Sequence, residues 1–182
     1  NDFRPSYQRI LGFIDGLPAR PPVMALTATA TRAVREDIAG SLGLIDPFTV
    51  VASFDRPNLS FAVEHARGRA QKDRALLSFV RQRPGRSGIV YCASRRAVEE
   101  TCDLLRDAGL PATRYHAGLA AEERRRNQDD FLYDRASIMV ATNAFGMGID
   151  KSNVSYVVHY NMPSCLENYY QEAGRAGAPL RQ

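Results

Sequence analysis

Apolar positions along the chain recur with two periods, and the two alternate. Residues 21–28, PPVMALTA, are apolar nearly throughout and open on prolines, which predicts a buried strand. In TRAVREDIAGSLGL (31–44), Val34, Ile38 and Leu42 recur every fourth residue, which predicts a helix with Thr31 as its N-cap. FTVVAS (48–53) and LSFAVE (59–64) read as strands on either side of a turn at FDRPN. KDRALLSFVRQR (72–83) sets Leu76, Leu77 and Val80 on a helical stripe, and SGIVYCAS (87–94) reads as a central strand. RAVEETCDLLRDAG (96–109) puts Val98, Cys102 and Leu105 on one helix face and stops at Gly109, a residue suited to a helix C-terminus. PATRYH (111–116) predicts a strand and AAEERRRNQDDFLY (120–133) a helix. ASIMVAT (136–142) and VSYVVHY (154–160) predict strands, and SCLENYYQEAG (164–174) a last helix with Ser164 as its N-cap.

Regular alternation of strands and helices is the signature of βαβ units, so the expected fold is α/β with a mainly parallel sheet. Strands that are apolar on both sides fit a sheet covered on both faces, a three-layer αβα arrangement. A break in the pattern at GLIDPF separates residues 1–46 from 47–182. On such sheets ligands bind beyond the carboxyl ends of the strands. The loops that follow IVYCA, TRYH, IMVAT and VVHYN are therefore where chemistry is expected.

Composition narrows the class. The chain has 182 residues, is 45% hydrophobic and 24% charged, and carries a net charge of +4, as a globular domain does. No apolar run approaches the roughly 18 residues that cross a bilayer, so no membrane role is expected. The three cysteines, Cys92, Cys102 and Cys165, show neither CxxC nor Cys/His ligand spacing, so no metal site is expected and reduced thiols in the cytoplasm are. The first residue is Asn, which reads as the interior of a longer protein. Of the 24 cationic side chains only Lys72 and Lys151 are lysines. Arginine presents a planar fork that fits phosphate, although a solvated basic surface accounts for the charge equally well.

Each loop offers a polar group with a structural alternative. Ser94-Arg95-Arg96 opens a helix, an arrangement suited to a phosphate, or Ser94 simply caps that helix. His116 precedes Ala117-Gly118-Leu119; Gly118 permits close backbone approach, and His116 alone is more often structural than catalytic. NAFGMGIDK exposes Thr142, Asn143 and the Gly146/Gly148 loop ahead of Asp150, and opens no dinucleotide fingerprint. In QEAGRAG, Arg175 stands between Gly174 and Gly177, either reaching for a phosphate or ending a helix in solvent. A P-loop needs Gly-Lys-Ser/Thr, and neither lysine here follows a glycine, so the chain alone is not expected to hydrolyse ATP.

Taken together these stretches resemble the superfamily 2 helicases, and within them the RecQ DNA helicases. MALTATAT (24–31) resembles motif III, GIVYCASR (88–95) motif IV, YHAGL (115–119) the segment after it, VATNAFGMGIDK (140–151) motif V and YYQEAGRAG (169–177) motif VI. SFDRPNLSF (53–61) resembles the start of the second RecA-like domain, and NDFRP (1–5) the stretch after the family's DEAH box. The resemblance covers nearly the whole chain. It implies that residues 1–46 are the C-terminal remnant of a first RecA-like domain and 47–182 most of a second.

In that family ATP binds between the two RecA-like domains, and the P-loop and the Mg2+ ligands belong to the first, outside this chain. The resemblance implies an ATP-dependent 3′-to-5′ DNA helicase of DNA repair and recombination, with neither ATP nor Mg2+ held by this fragment alone. Arg175 is the implied catalytic arginine, with Gly148, Asp150 and Gln171 around the nucleotide. Ser94, Arg95, His116, Gly118, Thr142 and Asn143 would line a channel for single-stranded or partly unwound DNA. Thr27 and Thr29 would couple nucleotide state to DNA. A cytoplasmic, nucleoid-associated bacterial protein is implied, and the strand left without its sheet invites self-association. The chain departs from the family where Gly-Arg-Ala-Gly should continue Arg-Asp-Gly: Gly177 is followed by Ala178-Pro179, so the second arginine is absent. Either the segment is lost, or three residues are missing between Gly177 and Ala178. A nucleic-acid-binding module without catalysis, an RNA helicase of the same superfamily and an unrelated small-molecule enzyme are the alternatives.

Overall fold

A computed structural model describes residues 9–27, 30–51, 56–146 and 151–177. The chain divides into two compact units, Asn1–Asp55 and Arg56–Gln182.

Two helices make up the regular structure of the first unit among its described residues. α1 spans Ile10–Asp15, which the hydrophobic pattern did not single out, and α2 spans Arg32–Ser41. The Thr31 side chain accepts a hydrogen bond from the Val34 amide at 3.3 Å, so the expected N-cap forms. At the other end Gly43 takes φ +57° and the Leu44 amide bonds the Ala39 carbonyl at 2.9 Å, the 6→1 closure of a left-handed helix terminus. Arg20 then bonds the Leu42 and Gly43 carbonyls at 3.0 and 2.8 Å and pairs with Asp15 at 3.1 Å, tying the two helices together. The strand expected over 21–28 does not form in the described part of that stretch: Met24 and Leu26 are 80% and 86% exposed. A strand needs a neighbour to take its backbone N–H and C=O groups, and the described residues of this unit offer none. The same correction applies to FTVVAS and LSFAVE. Residues 48–51 and 59–64 are irregular, with Phe48, Val50 and Val63 exposed.

The second unit is the α/β body that the alternation predicts. In chain order it holds α3 (Arg69–Arg81), β1 (Ser87–Tyr91), α4 (Arg95–Asp107), β2 (Ala112–Tyr115), α5 (Ala121–Leu132), β3 (Ile138–Ala141), β4 (Val154–His159) and α6 (Leu166–Ala173). The strands form one sheet in the order β2-β3-β1-β4, and every pairing is parallel. Alternate residues of β1 and Cys92 just after it feed two cores. Val90 and Cys92 pack with Leu76 and Val80 of α3 and Val98, Cys102 and Leu105 of α4 on one face. Ile89 and Tyr91 pack with Phe131 of α5, Met139 and Phe145 on the other. The stripes expected on α3 and α4 are thus the buried ones. α6 starts one residue later than expected: Cys165 is its N-cap, without a side-chain bond, and the Ser164 hydroxyl accepts from Asn168 at 3.2 Å instead.

β1 and β4 approach closely because Gly88 has no side chain. A Cβ at Gly88 would overlap the Tyr156 ring, which packs edge-on against Phe79 at 5.3 Å. Gly88→Ala is expected to destabilise the fold by about 1–3 kcal/mol, the usual cost of overpacking. Urea unfolding checks this, and the cost should shrink in a Tyr156→Leu background.

Candidate functional site

Because all four strands are parallel, their carboxyl ends and the loops that follow lie along one edge of the sheet. Every described residue singled out in the second unit sits on these loops, at the start of α4, on α6 or on the turn after it.

Ser94 ends the β1 loop as the N-cap of α4, and its Oγ accepts from the Ala97 amide at 3.1 Å. The hydroxyl keeps its own proton to donate. Arg95 is exposed, and its stem and guanidinium lie 3.1–3.2 Å from where a Cβ of Gly118 would stand, so glycine lets the β1 and β2 loops meet. His116 is built into that junction. Its Nδ1 accepts from the Gly118 amide at 3.1 Å and its Nε2 bonds Glu99 at 2.7 Å, which places the ring proton on Nε2. The ring is only 6% exposed, so His116 shapes the Gly118 loop rather than facing a ligand. Glu99 also pairs with Arg114 at 2.7 Å, and Arg114 reaches Glu123 of α5 at 3.2 Å. Thr142 continues the row: its amide bonds the Tyr115 carbonyl at 3.3 Å and its carbonyl takes the Phe145 amide at 3.0 Å, leaving Asn143 exposed on the turn.

Arg175 sits where β1, β4 and α6 converge. Its guanidinium lies flat against Gly146, with Nε, Cζ and Nη2 3.0–3.1 Å from where a Cβ would stand, and Gly146 holds φ +132°. It also interacts electrostatically with the Tyr91 hydroxyl, which donates to the Phe145 carbonyl at 3.2 Å. Tyr91 is buried, which pushes its phenol well above the ordinary range and keeps it protonated. Beside it His159 stacks on the Tyr91 ring at 5.8 Å and 18°, and bonds Glu172 of α6 at 2.9 Å. Burial lowers the His159 pKa and raises that of Glu172, since it penalises both charged forms. Gln171, on the same helix, is exposed.

Thr27 lies in the first unit and is exposed. Thr29, Gly148 and Asp150 lie outside the described residues. Lys151 is absent from this edge: its ammonium is buried against Asp134 at 2.7 Å, which also accepts from Ser87 at 3.0 Å. Tyr91, His159, Glu172 and Glu99 were not singled out from the sequence. Their roles come from partners distant in sequence, and only the position of Glu172 three residues before Arg175 signals one of them.

Residues 71–178 match the helicase conserved C-terminal domain. The chain belongs to that family. This helicase C-terminal domain is 47% identical over 178 residues to the ATP-dependent DNA helicase RecQ of Pasteurella multocida, covering 97% of this chain and 27% of that protein. It is 45% identical over 177 residues to the ATP-dependent DNA helicase RecQ of Bacillus subtilis, covering 97% and 29%. The chain thus spans little more than a quarter of the length of these relatives, and the resemblance to RecQ helicases holds along nearly all of it. Among solved structures it is similar to S. cerevisiae Dbp5 bound to RNA and ADP BeF3, with a TM-score of 0.79 at 22% identity, covering 97% of this chain and 47% of that one. The C-terminal domain of the DEAD-box protein Dbp5 superposes with a TM-score of 0.54 at 27% identity, over 62% of this chain and 66% of that one. The sheet and its covering helices thus follow the RecA-like plan that the sequence implied.

The His159 environment sets a pH dependence. Its folded pKa lies below its unfolded value, so the unfolded chain takes up a proton that the folded ring refuses. Stability should therefore fall as pH drops through the ordinary imidazole range near 6.5. His159→Asn is expected to flatten that slope between about pH 5 and 7, measured by urea unfolding across the range.

Proposed function

We propose that this chain supplies motifs III to VI of a RecQ-like, ATP-dependent 3′-to-5′ DNA helicase that acts in DNA repair and recombination. The observation that carries the reading is the seat of Arg175: two elements far apart in sequence, the Phe145–Gly146 loop and α6, meet on one guanidinium at the sheet edge where such folds bind ligands. The identity to RecQ helicases over 97% of the chain supports the choice of DNA as substrate.

The residues present fit one side of a nucleotide. A guanidinium laid on a glycine backbone offers its N–H groups to phosphate oxygens. Bound ATP supplies the phosphoryl group to be transferred. Arg175 stabilises the negative charge that builds on its oxygens, with Gln171 and, by resemblance, Gly148 and Asp150 around the nucleotide. Among the described residues no group of three or more His, Cys, Asp or Glu stands together, and Mg2+ is expected, by resemblance, to be held outside this chain. Its ligands and the phosphate cradle are assigned to the rest of the full-length enzyme.

Ser94, Arg95, the Gly118 loop, Thr142 and Asn143 form a polar row on the β1, β2 and β3 loops. The Ser94 hydroxyl, the Arg95 guanidinium and loop amides suit backbone phosphates of a single strand, contacts that carry no sequence information. His116 contributes by fixing Gly118. Thr27 and Thr29 are assigned to coupling and residues 1–46 to the first RecA-like domain, both by resemblance alone. No helix among the described residues is long and apolar enough to cross a membrane. A cytoplasmic site of action near the nucleoid follows from the proposed substrate.

In the full-length protein, Arg175→Ala is expected to lower DNA-stimulated ATP turnover at least about 100-fold, the scale of losing one transition-state donor. Turnover at the wild-type rate would remove Arg175 from the mechanism. The 182-residue chain alone should bind single-stranded DNA weakly and turn over no ATP. Its binding, followed by fluorescence anisotropy, should weaken with salt, and Arg95→Ala should reduce the salt slope by about 0.7, the value for one single-strand phosphate contact.

A further inference from the structure

We infer that Tyr91 is a positioning residue for Arg175, an assignment that rests on the proposed role of Arg175 in ATP turnover. Tyr91 is the last residue of β1, only 3% exposed, and its ring belongs to the core beside Phe145. A phenylalanine would fill that space equally well, so packing does not explain the hydroxyl. The hydroxyl instead gives a hydrogen bond to the Phe145 carbonyl at 3.2 Å, next to the Gly146 backbone on which the Arg175 guanidinium lies, and the two groups interact electrostatically. One oxygen thereby holds the loop after β3 against the arginine that follows α6.

The ring that carries this oxygen is held from a third side. His159, the last residue of β4, stacks on it at 5.8 Å and is itself bonded to Glu172 at 2.9 Å. Tyr169 covers the other approach to His159, with ring centroids 4.9 Å apart. Glu172 lies three residues before Arg175 on the same helix segment. α6 is therefore anchored to β4 through Glu172 and to β1 through Arg175. Gly146 supplies the remaining face: with no side chain there, the guanidinium lies directly on the backbone. An arginine side chain has many rotamers to lose, and the hydroxyl with the glycine ledge selects one before any phosphate arrives. Buried as it is, Tyr91 acts through Arg175 and not on a ligand.

The test uses the full-length protein, with ATP turnover at saturating single-stranded DNA for Tyr91→Phe, Arg175→Ala and the double variant. The expected result for Tyr91→Phe is a kcat lowered about 10- to 100-fold, the scale of misplacing a catalytic group, with KM for ATP within about twofold. Adding it to Arg175→Ala should cost nothing further, because the hydroxyl works through the guanidinium. A Tyr91→Phe enzyme with wild-type kcat, whether or not it melts at a lower temperature, beside an impaired Arg175→Ala, would overturn the positioning role and leave the Arg175 reading standing. An undiminished penalty in the double variant would overturn it too. An unimpaired Arg175→Ala would sink the underlying reading instead. Gly146→Ala, which leaves Tyr91 in place and pushes the guanidinium off its ledge, should lower kcat in the same way; wild-type turnover there would show that this seat is not the working one.

Discussion

Strand β1 hydrogen-bonds β3 on one side and β4 on the other, in parallel on both. That pairing constrains everything at the candidate site. It buries β1 completely and points Ile89 and Tyr91 to one core and Val90 and Cys92 to the other. It also lines up the ends of β1, β3 and β4, so that Tyr91, Ala141 and His159 stand side by side in register. A slip of one residue would turn Tyr91 toward α4 and leave Arg175 without its partner. The sheet can hold this register because Gly88 leaves room for Tyr156.

The same edge carries two kinds of polar group without mixing them. Toward β2 and β3, the groups on offer are a hydroxyl, an exposed arginine and turn amides, braced from below by the Glu99, Arg114 and His116 bonds. Toward β4, the groups are buried and mutually bonded, and the one cation among them lies on a glycine. Under the proposed function, the loosely held groups suit a sliding strand and the seated guanidinium suits charge that develops at one point. Phe145 joins the two zones, since the turn that exposes Asn143 ends in the carbonyl that takes the Tyr91 proton.

Sequence periodicity was enough where burial alone decides structure. Val98, Cys102 and Leu105 are all fully buried on α4, and the apolar runs at β1 and β3 are strands inside the sheet. Periodicity failed where an apolar run had no neighbour: Met24, Leu26, Phe48 and Val63 have the composition of strands but no ladder to join, because strand formation is a property of pairs. It was equally silent on Arg20, which ties helices through carbonyls 22 and 23 residues away. At the site, the glycines and Arg175 were legible because their types constrain what they do. Tyr91 and His159 were not, because each looks like an ordinary strand residue until the fold brings a partner from some 13 to 84 residues away.

By resemblance a second arginine is expected after Gly177, where the family pattern breaks. Gly177 is fixed at the end of its segment: its amide bonds the Val154 carbonyl at 3.1 Å, its carbonyl accepts from the Asn58 amide, and its φ is +67°. A Cβ at Gly177 would meet the side-chain ends of Asn58 and Leu59 at 2.7–2.8 Å, which can shift, so it is the positive φ that favours glycine here. The chain therefore leaves α6 along a defined path whatever follows. On that path only one arginine stands before the family pattern breaks, and it is already committed to Tyr91 and Gly146. The seat on Gly146, rather than the number of arginines, is what the proposed role of Arg175 rests on.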